Sequence, residues 1–159
     1  MKTSQNIASQ KKVTSKQPVG MRFNSRDYPV AEMQPVWLAV LRTLVEQRGL
    51  DVRGLDLRSV SDIADCFVMA SGTSQRHVQG LADKVKLTLE ALGEKPQRMT
   101  GYENGEWILI DCGDLIVHLF YEPVRQYYEF DALWSAALPV QMDEELELRA
   151  RKSRTGMFF

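Results

Sequence analysis

Two cysteines and two histidines are all the thiol and imidazole ligands this 159-residue chain contains. Cys66 and Cys112 stand far apart and outside any C-x-x-C pattern, so a four-ligand zinc site lacks its donors. They read as reduced thiols that pack as small hydrophobes. Neither His77 nor His118 has beside it the nucleophile and orienting group that acid–base or covalent catalysis requires. His77 reads as a residue that hydrogen-bonds near a helix start, and His118 as a buried or half-buried strand residue. No apolar run reaches bilayer-spanning length, and nothing at the N-terminus resembles a signal-peptide apolar region. Neither membrane insertion nor secretion is expected, and the cytoplasm is the expected compartment. No internal repeat is visible.

Charge is also missing locally. Residues 1–26 hold six Lys/Arg and no acid, whereas residues 27–140 hold ten Lys/Arg against seventeen Asp/Glu, a net of −7. The remaining tail balances four against four, so the whole-chain charge of −1 conceals a division. An acidic body with a basic arm is a poor bare nucleic-acid binder, because phosphate binding needs a basic footprint. It suits a basic protein partner, whose approach it would steer.

The composition divides the chain into three. Residues 1–29, rich in Ser, Gln and Lys, read as a disordered basic arm. The same bias fits an organellar transit peptide, which would place the protein in an organellar matrix. Residues 30–138 form the expected folded domain. Residues 139–159 are a charged tail whose acids precede its bases, as suits the macrodipole of a short helix. That tail reads as a solvated, partly helical appendage without an assigned function.

Within the domain, Val36, Trp37, Val40, Leu41, Leu44 and Val45 predict a helix over Ala31–Arg48, with Pro35 tolerable only in its first turn and Gly49 as cap. Strands are expected at Asp51–Leu57 and Cys66–Ala70. Thr73 or Ser74 then caps a second helix, with Val78, Leu81, Ala82, Val85, Leu89 and Leu92 as its stripe and Gly93 at its end. Residues 94–105 read as loop. Glu106–Asp111 and Leu115–Tyr121 read as a hairpin turning at Cys112-Gly113. A third helix runs from Pro123 to Trp134, anchored by Leu133 and Trp134, with Pro139 as a stop. The fold class is therefore α/β (α+β), a mixed β-sheet with flanking helices.

The strongest binding signal lies between Met99 and Val124, where five acids (Glu103, Glu106, Asp111, Asp114 and Glu122) occur without a Lys or Arg. Strand alternation puts Trp107, Leu109 and Asp111 on one face and Ile108 and Ile110 on the other. The isoleucines suit the core. Their opposite face then presents an aromatic anchor with an acidic rim. Alternatively, a helix covers this face and Trp107 belongs to the core.

Read in order, the chain carries D-L-R-S (Asp56–Ser59), S-G-T-S (Ser71–Ser74), R-H-V (Arg76–Val78), W-I-L-I-D-C-G-D-L-I-V-H (Trp107–His118), R-Q-Y-Y (Arg125–Tyr128) and L-W (Leu133–Trp134). This ordered set resembles the ribosomal silencing factor (Iojap) family over about half the chain. The resemblance implies a nucleotidyltransferase-like fold that binds rather than catalyses. The implied partner is the large ribosomal subunit, through large-subunit protein fourteen. The bound factor would block the small subunit sterically and repress translation when nutrients are short. On this reading Trp107, Leu109, Asp111, Cys112 and Asp114 form the partner-binding surface and no cofactor is needed. Minor rRNA contacts and self-association of the free protein through the same apolar face remain open.

Two other classes also remain. A nucleotidyl-transfer enzyme could hold phosphate at the Gly72-Thr73-Ser74 turn, but a two-metal site needs converging carboxylates. The next strand offers only Asp111, with Leu109 two positions before it. Asp114 lies beyond the turn, and Asp62 and Asp65 sit in a loop-like segment. The paired carboxylates are missing, and helix capping explains the turn without a ligand. The other class is an RNA-binding module that uses the basic arm.

Overall fold

The six stripe residues Val36, Trp37, Val40, Leu41, Leu44 and Val45 are all buried on one face of the first helix, α1 (Pro35–Glu46). The structure, a computed structural model, describes residues 35–155. The expected arm over residues 1–29 and a helix start at Ala31 lie outside the described residues. Pro35 opens α1 as described, where its missing N–H costs nothing. Arg48 rather than Gly49 takes the left-handed conformation after the helix, with φ 60. Gly49 is needed for close approach instead, since a Cβ there would meet the Leu44 carbonyl at 3.0 Å and Ala70 Cβ at 3.3 Å.

Strands β1 (Leu50–Asp56) and β2 (Cys66–Gly72) follow, then helix α2 (Gln75–Ala91). Ser74 caps α2 by accepting the His77 N–H at 3.0 Å. Strand β3 (Arg98–Thr100) lies inside the segment expected to be loop. It is short and carries one apolar residue, Met99, so it has almost no alternation to read. β4 (Trp107–Asp111) and β5 (Leu115–Tyr121) form the expected hairpin, with Gly113 at φ 86 in the turn.

The single helix expected from Pro123 to Trp134 is instead two, α3 (Glu122–Tyr128) and α4 (Phe130–Leu133), broken at Glu129 with φ 48. Leu133 is 73% exposed and anchors nothing, whereas Trp134 is half-buried against the core. Pro139 is not a simple stop, because β6 (Leu138–Pro139) pairs with β1.

The sheet order is β3-β4-β5-β2-β1-β6. β2 and β5 are parallel and the other neighbours antiparallel, which gives the expected mixed sheet. One face carries Val52, Val68, Ala70, Ile108, Ile110, Val117 and Leu119 and packs against α1 and α2. The other carries Phe67, Met69, Ile116 and Phe120 and, among the described residues, packs against the short α3–α4 segment and the loop residues Leu57, Ala64, Trp134 and Ala137.

The C-terminal segment departs from expectation. Residues Glu144–Thr155 form α5, whose Leu146, Ala150 and Ser153 are buried against β1 and α1, so this is not a solvated appendage. The many charged side chains of this segment hid it, since three inward residues spaced three or four apart suffice to dock a short helix. Asp143 receives the Leu146 N–H at 2.8 Å and pairs with Arg42 at 3.2 Å. The register of β1 shifts between Leu50 and Arg53, and within that irregularity the Val52 N–H is satisfied by Ser153 Oγ at 3.0 Å. Ser153→Ala should therefore orphan a buried donor and destabilise the domain by about 1–3 kcal/mol, read as a lower urea midpoint at unchanged slope. An unchanged midpoint would show that α5 is not coupled to β1.

Candidate functional site

The D-L-R-S motif is structural. Asp56 is buried and pairs at 2.7 Å with Arg58, whose side chain is 7% exposed, and the Arg58 N–H also donates to Asp56 Oδ1 at 3.0 Å, which closes the turn after β1. The guanidinium lies 5.5 Å from the Trp37 ring centroid and so ties that turn to α1. R-H-V is structural too. His77 Nδ1 accepts the Thr73 N–H at 3.0 Å, so its protonated Nε2 donates to the Gln47 carbonyl at 3.2 Å. His77 is thus a helix-start hydrogen-bonder, as expected, and joins α2 to the end of α1. In S-G-T-S, a Cβ at Gly72 would meet Val78 Cγ2 at 2.8 Å, so the glycine permits tight packing of the turn on α2.

Alternation along β4 holds: Ile108 and Ile110 are buried, and Trp107, Leu109 and Asp111 are half-buried on the opposite face. Trp107 belongs to both readings offered for it. Its ring contacts Phe120, Phe130 and Tyr128 at centroid distances of 4.8, 5.6 and 5.4 Å, so one side is packed while the residue keeps part of its surface. Its Nε1–H donates to His118 Nδ1 at 3.2 Å. Asp111 Oδ1 accepts the Gly113 N–H at 2.8 Å and braces the turn. Asp114 is half-buried, and its carbonyl accepts from Asp65 and Cys66 N–H, pinning the hairpin to the start of β2.

Cys112 does not join this face. Its side chain is 7% exposed and lies in the core beneath α1 and α2, so it cannot serve as a contact residue through its thiol. Turn position misled here, because the period-2 alternation of β4 continues through the residue after Asp111 and keeps it in phase with Ile108 and Ile110. Burial pushes the Cys66 thiol well up, which leaves it inert as a nucleophile. Among the described residues no group of three or more His, Cys, Asp or Glu is placed to hold a metal ion. Asp65 is buried and Asp62 exposed, both in the segment before β2.

Sequence reasoning missed the residue that organises this half of the molecule. Arg125 of R-Q-Y-Y is 4% exposed and makes a two-pronged pair with Asp131, Nε and Nη2 each at 2.9 Å. Its Nη1 donates to the Asp51 carbonyl at 2.9 Å and to Ser71 Oγ at 3.1 Å. Burial alone would raise the Asp131 carboxyl, but the Arg125 hydrogen bonds and charge, helped by Arg53, hold it below its ordinary value. With its opposite side, α3 presents Tyr127 and Tyr128, 79% and 53% exposed, beside Glu106, Pro123 and Val124 around a shallow groove of ≈ 430 Å³. The sequence signal was an arginine beside two tyrosines in a short helix, which no spacing rule converts into a clamp.

The family model described as ribosomal silencing factor during starvation matches residues 30–157. The chain belongs to the ribosomal silencing factor family. It is 35% identical over 98 residues to a ribosomal silencing factor of Halalkalibacterium halodurans, covering 62% of this chain and 84% of that protein. A crystal structure of a Chromobacterium violaceum protein superposes with a TM-score of 0.62 at 33% identity, covering 64% of this chain and 85% of that one. A mouse relative named mitochondrial assembly of ribosomal large subunit protein 1 is 30% identical over 95 residues, 58% of this chain and 42% of its own length. The match through residue 157 includes α5, in keeping with its packed position.

His118 supplies a pH test of the site. Burial lowers its pKa from 6.5 to about 4, so the folded protein holds it neutral. As pH falls below 6.5 the unfolded chain takes up a proton that the folded one refuses until about 4, so stability is lost across that window. The loss attributable to this residue is on the order of 3 kcal/mol. Denaturation of wild type and His118→Phe at stepped pH should show the variant losing less stability between pH 6.5 and 4. Parallel curves would mean that His118 is protonated in the fold.

Proposed function

We propose that this protein represses translation by docking on the large ribosomal subunit and physically excluding the small one. The observation that carries the reading is the half-covered sheet face, where Trp107, Leu109 and Asp111 stand half-buried between the α3 tyrosines and the β3 edge. Monomeric proteins rarely leave aromatic and aliphatic surface grouped in this way without a partner. Family membership supports a ribosomal partner, and the mouse relative's name supports the large subunit.

The contact we favour is large-subunit protein fourteen, approached under nutrient limitation. Charge supports a basic protein, since residues 27–140 carry ten Lys/Arg against seventeen Asp/Glu. Of the residues first assigned to this surface we retain Trp107, Leu109, Asp111 and Asp114, and add Tyr127 and Tyr128. Such a mechanism needs no chemistry from the protein itself, and we read the protein as a regulator rather than an enzyme. The basic arm would add minor rRNA contacts, and the free protein could pair with itself through the same face. It would act wherever its ribosomes are, in the cytoplasm or in an organellar matrix.

Co-sedimentation with isolated subunits tests this. The protein should pellet with large but not small subunits and should lower their joining without added nucleotide. Leu109→Lys places charge at the centre of the face and like charge against a basic partner. It should weaken large-subunit binding by about 2 kcal/mol or more, with a smaller effect on the unfolding midpoint. Trp107→Ala should cost binding and stability together, because the ring packs on Phe120 and Phe130. Deleting residues 1–29 should leave most binding intact. Wild-type binding by Leu109→Lys, with binding abolished by the deletion, would replace docking by the sheet face with RNA binding by the arm.

A further inference from the structure

Of the three buried side-chain polar atoms without a partner among the described residues, two lie in one aromatic cluster. His118 is 4% exposed, and its Nδ1 accepts from Trp107. A neutral imidazole that accepts at Nδ1 carries its proton on Nε2. That Nε2–H is buried and has no acceptor, and the same holds for the indole Nε1–H of Trp134. Both rings stand T-shaped to Phe67, with centroids at 4.5 and 4.8 Å. The third such atom is Arg154 Nε, on a side chain 28% exposed whose guanidinium pairs with Glu147.

Elsewhere the fold answers comparable demands. Ser153 satisfies Val52, and Arg125 finds Asp131, Ser71 and a carbonyl. Two orphaned donors packed against the same ring, Phe67, therefore need an explanation, because burying a donor without an acceptor is unfavourable. Their position offers one. His118 is the register partner of Leu109 across β4–β5, and Leu109, Trp107 and Trp134 are the half-buried residues packed on this cluster. His118 thus adjoins Leu109 of the face assigned to docking, and Trp134 packs on the same aromatic cluster.

We propose that the docked protein inserts a backbone or side-chain amide carbonyl that accepts from His118 Nε2–H, with Trp134 Nε1–H as the second donor of the same subsite. The inference rests on the docking reading above. Both protein groups can only donate, so the incoming group must accept, which excludes a lysine or arginine head. A carboxylate or phosphate would approach against Glu106 and Asp111, which flank the face, whereas a neutral carbonyl meets no such repulsion. Such a subsite gives selectivity, since a partner lacking the acceptor would leave the donors unpaired in a fully dehydrated interface.

The test uses full-length His118→Phe and Trp134→Phe, each of which keeps an apolar ring, with Leu109→Lys as the docking control. Binding to isolated large subunits and the urea midpoint are measured for each. His118→Phe and Trp134→Phe should each weaken binding tenfold or more. The Trp134→Phe midpoint should stay at or above wild type, because an orphaned donor is removed from the free protein. Wild-type binding by both phenylalanine variants, with Leu109→Lys defective, would overturn the carbonyl subsite and leave docking standing. Wild-type binding by all three would overturn both. A binding loss matched by a fall in midpoint in both phenylalanine variants would mark the rings as packing residues and also overturn the subsite. Should His118→Phe fail to fold, Trp134→Phe alone decides.

Discussion

Arg125 reaches from α3 into the seam between the start of β1 and the end of β2 and there holds Asp131, Ser71 and the Asp51 carbonyl. A charge buried to this degree is tolerated only when its donors are spoken for, and breaking such a pair typically costs about 3–5 kcal/mol. The clamp also explains the break at Glu129. Asp131 can face back toward Arg125 only if the chain turns sharply after Tyr128, and it does so through a left-handed residue that is not glycine. A conformation that costs about 1 kcal/mol or more is thus held by a two-pronged ion pair. The consequence extends to the other side of α3, where the exposed positions of Tyr127 and Tyr128 are fixed by a residue they do not touch.

The two faces of the sheet are finished to different degrees. Three helices complete the first, and α5 belongs to that side because Ser153 and Ala150 fit where β1 loses register. Among the described residues the second receives two short helices, of seven and four residues, with the loop residues Leu57, Ala64, Trp134 and Ala137, and Trp107, Leu109 and Asp111 stay half-buried. Phe130 of the short segment packs into an aromatic cluster with Phe67, Phe120 and His118, and beyond it stand Trp107, Leu109 and Asp111. The same asymmetry that leaves the second face available keeps the fold stable without it, since the larger apolar core is on the other side.

Legibility in the sequence followed periodicity. The stripes of α1 and α2, the β4–β5 hairpin and its inward isoleucines repeat at 3.6 or 2 residues and appear where the pattern places them, except Leu92, which falls past the end of α2 and is 46% exposed. The errors fall where local pattern is weak and tertiary contact decides. β3 and β6 are three and two residues long and exist because a neighbour offers hydrogen bonds. The α3–α4 break depends on Arg125 meeting Asp131, and α5 on three residues of an otherwise charged segment. For the site, alternation correctly sent Trp107, Leu109 and Asp111 to one face, and carried one residue further it also puts Cys112 inward with Ile108 and Ile110, but it could not reveal that α3 brings two tyrosines alongside.

Trp107 shows why the surface-or-core alternative had no single answer. Its indole is a packing element toward Phe120 and Phe130, a donor toward His118, and part of the outer surface beside Tyr128. By occupying Nδ1 it assigns the imidazole proton to Nε2, so the residue on the docking face sets which hydrogen-bonding group lies beneath it. Burial keeps that imidazole neutral, and the acids flanking β4 therefore have no buried cation to offset them. On the proposed docking, long-range attraction and short-range recognition would be carried by different groups. Carboxylates around the face would act over about a Debye length of 8–10 Å, and the aromatic layer with its unpaired N–H groups would act only once water is excluded. A residue asked to serve both would be compromised in one of them, and on that reading the acidic Asp111 and the apolar Leu109 hold separate positions along β4.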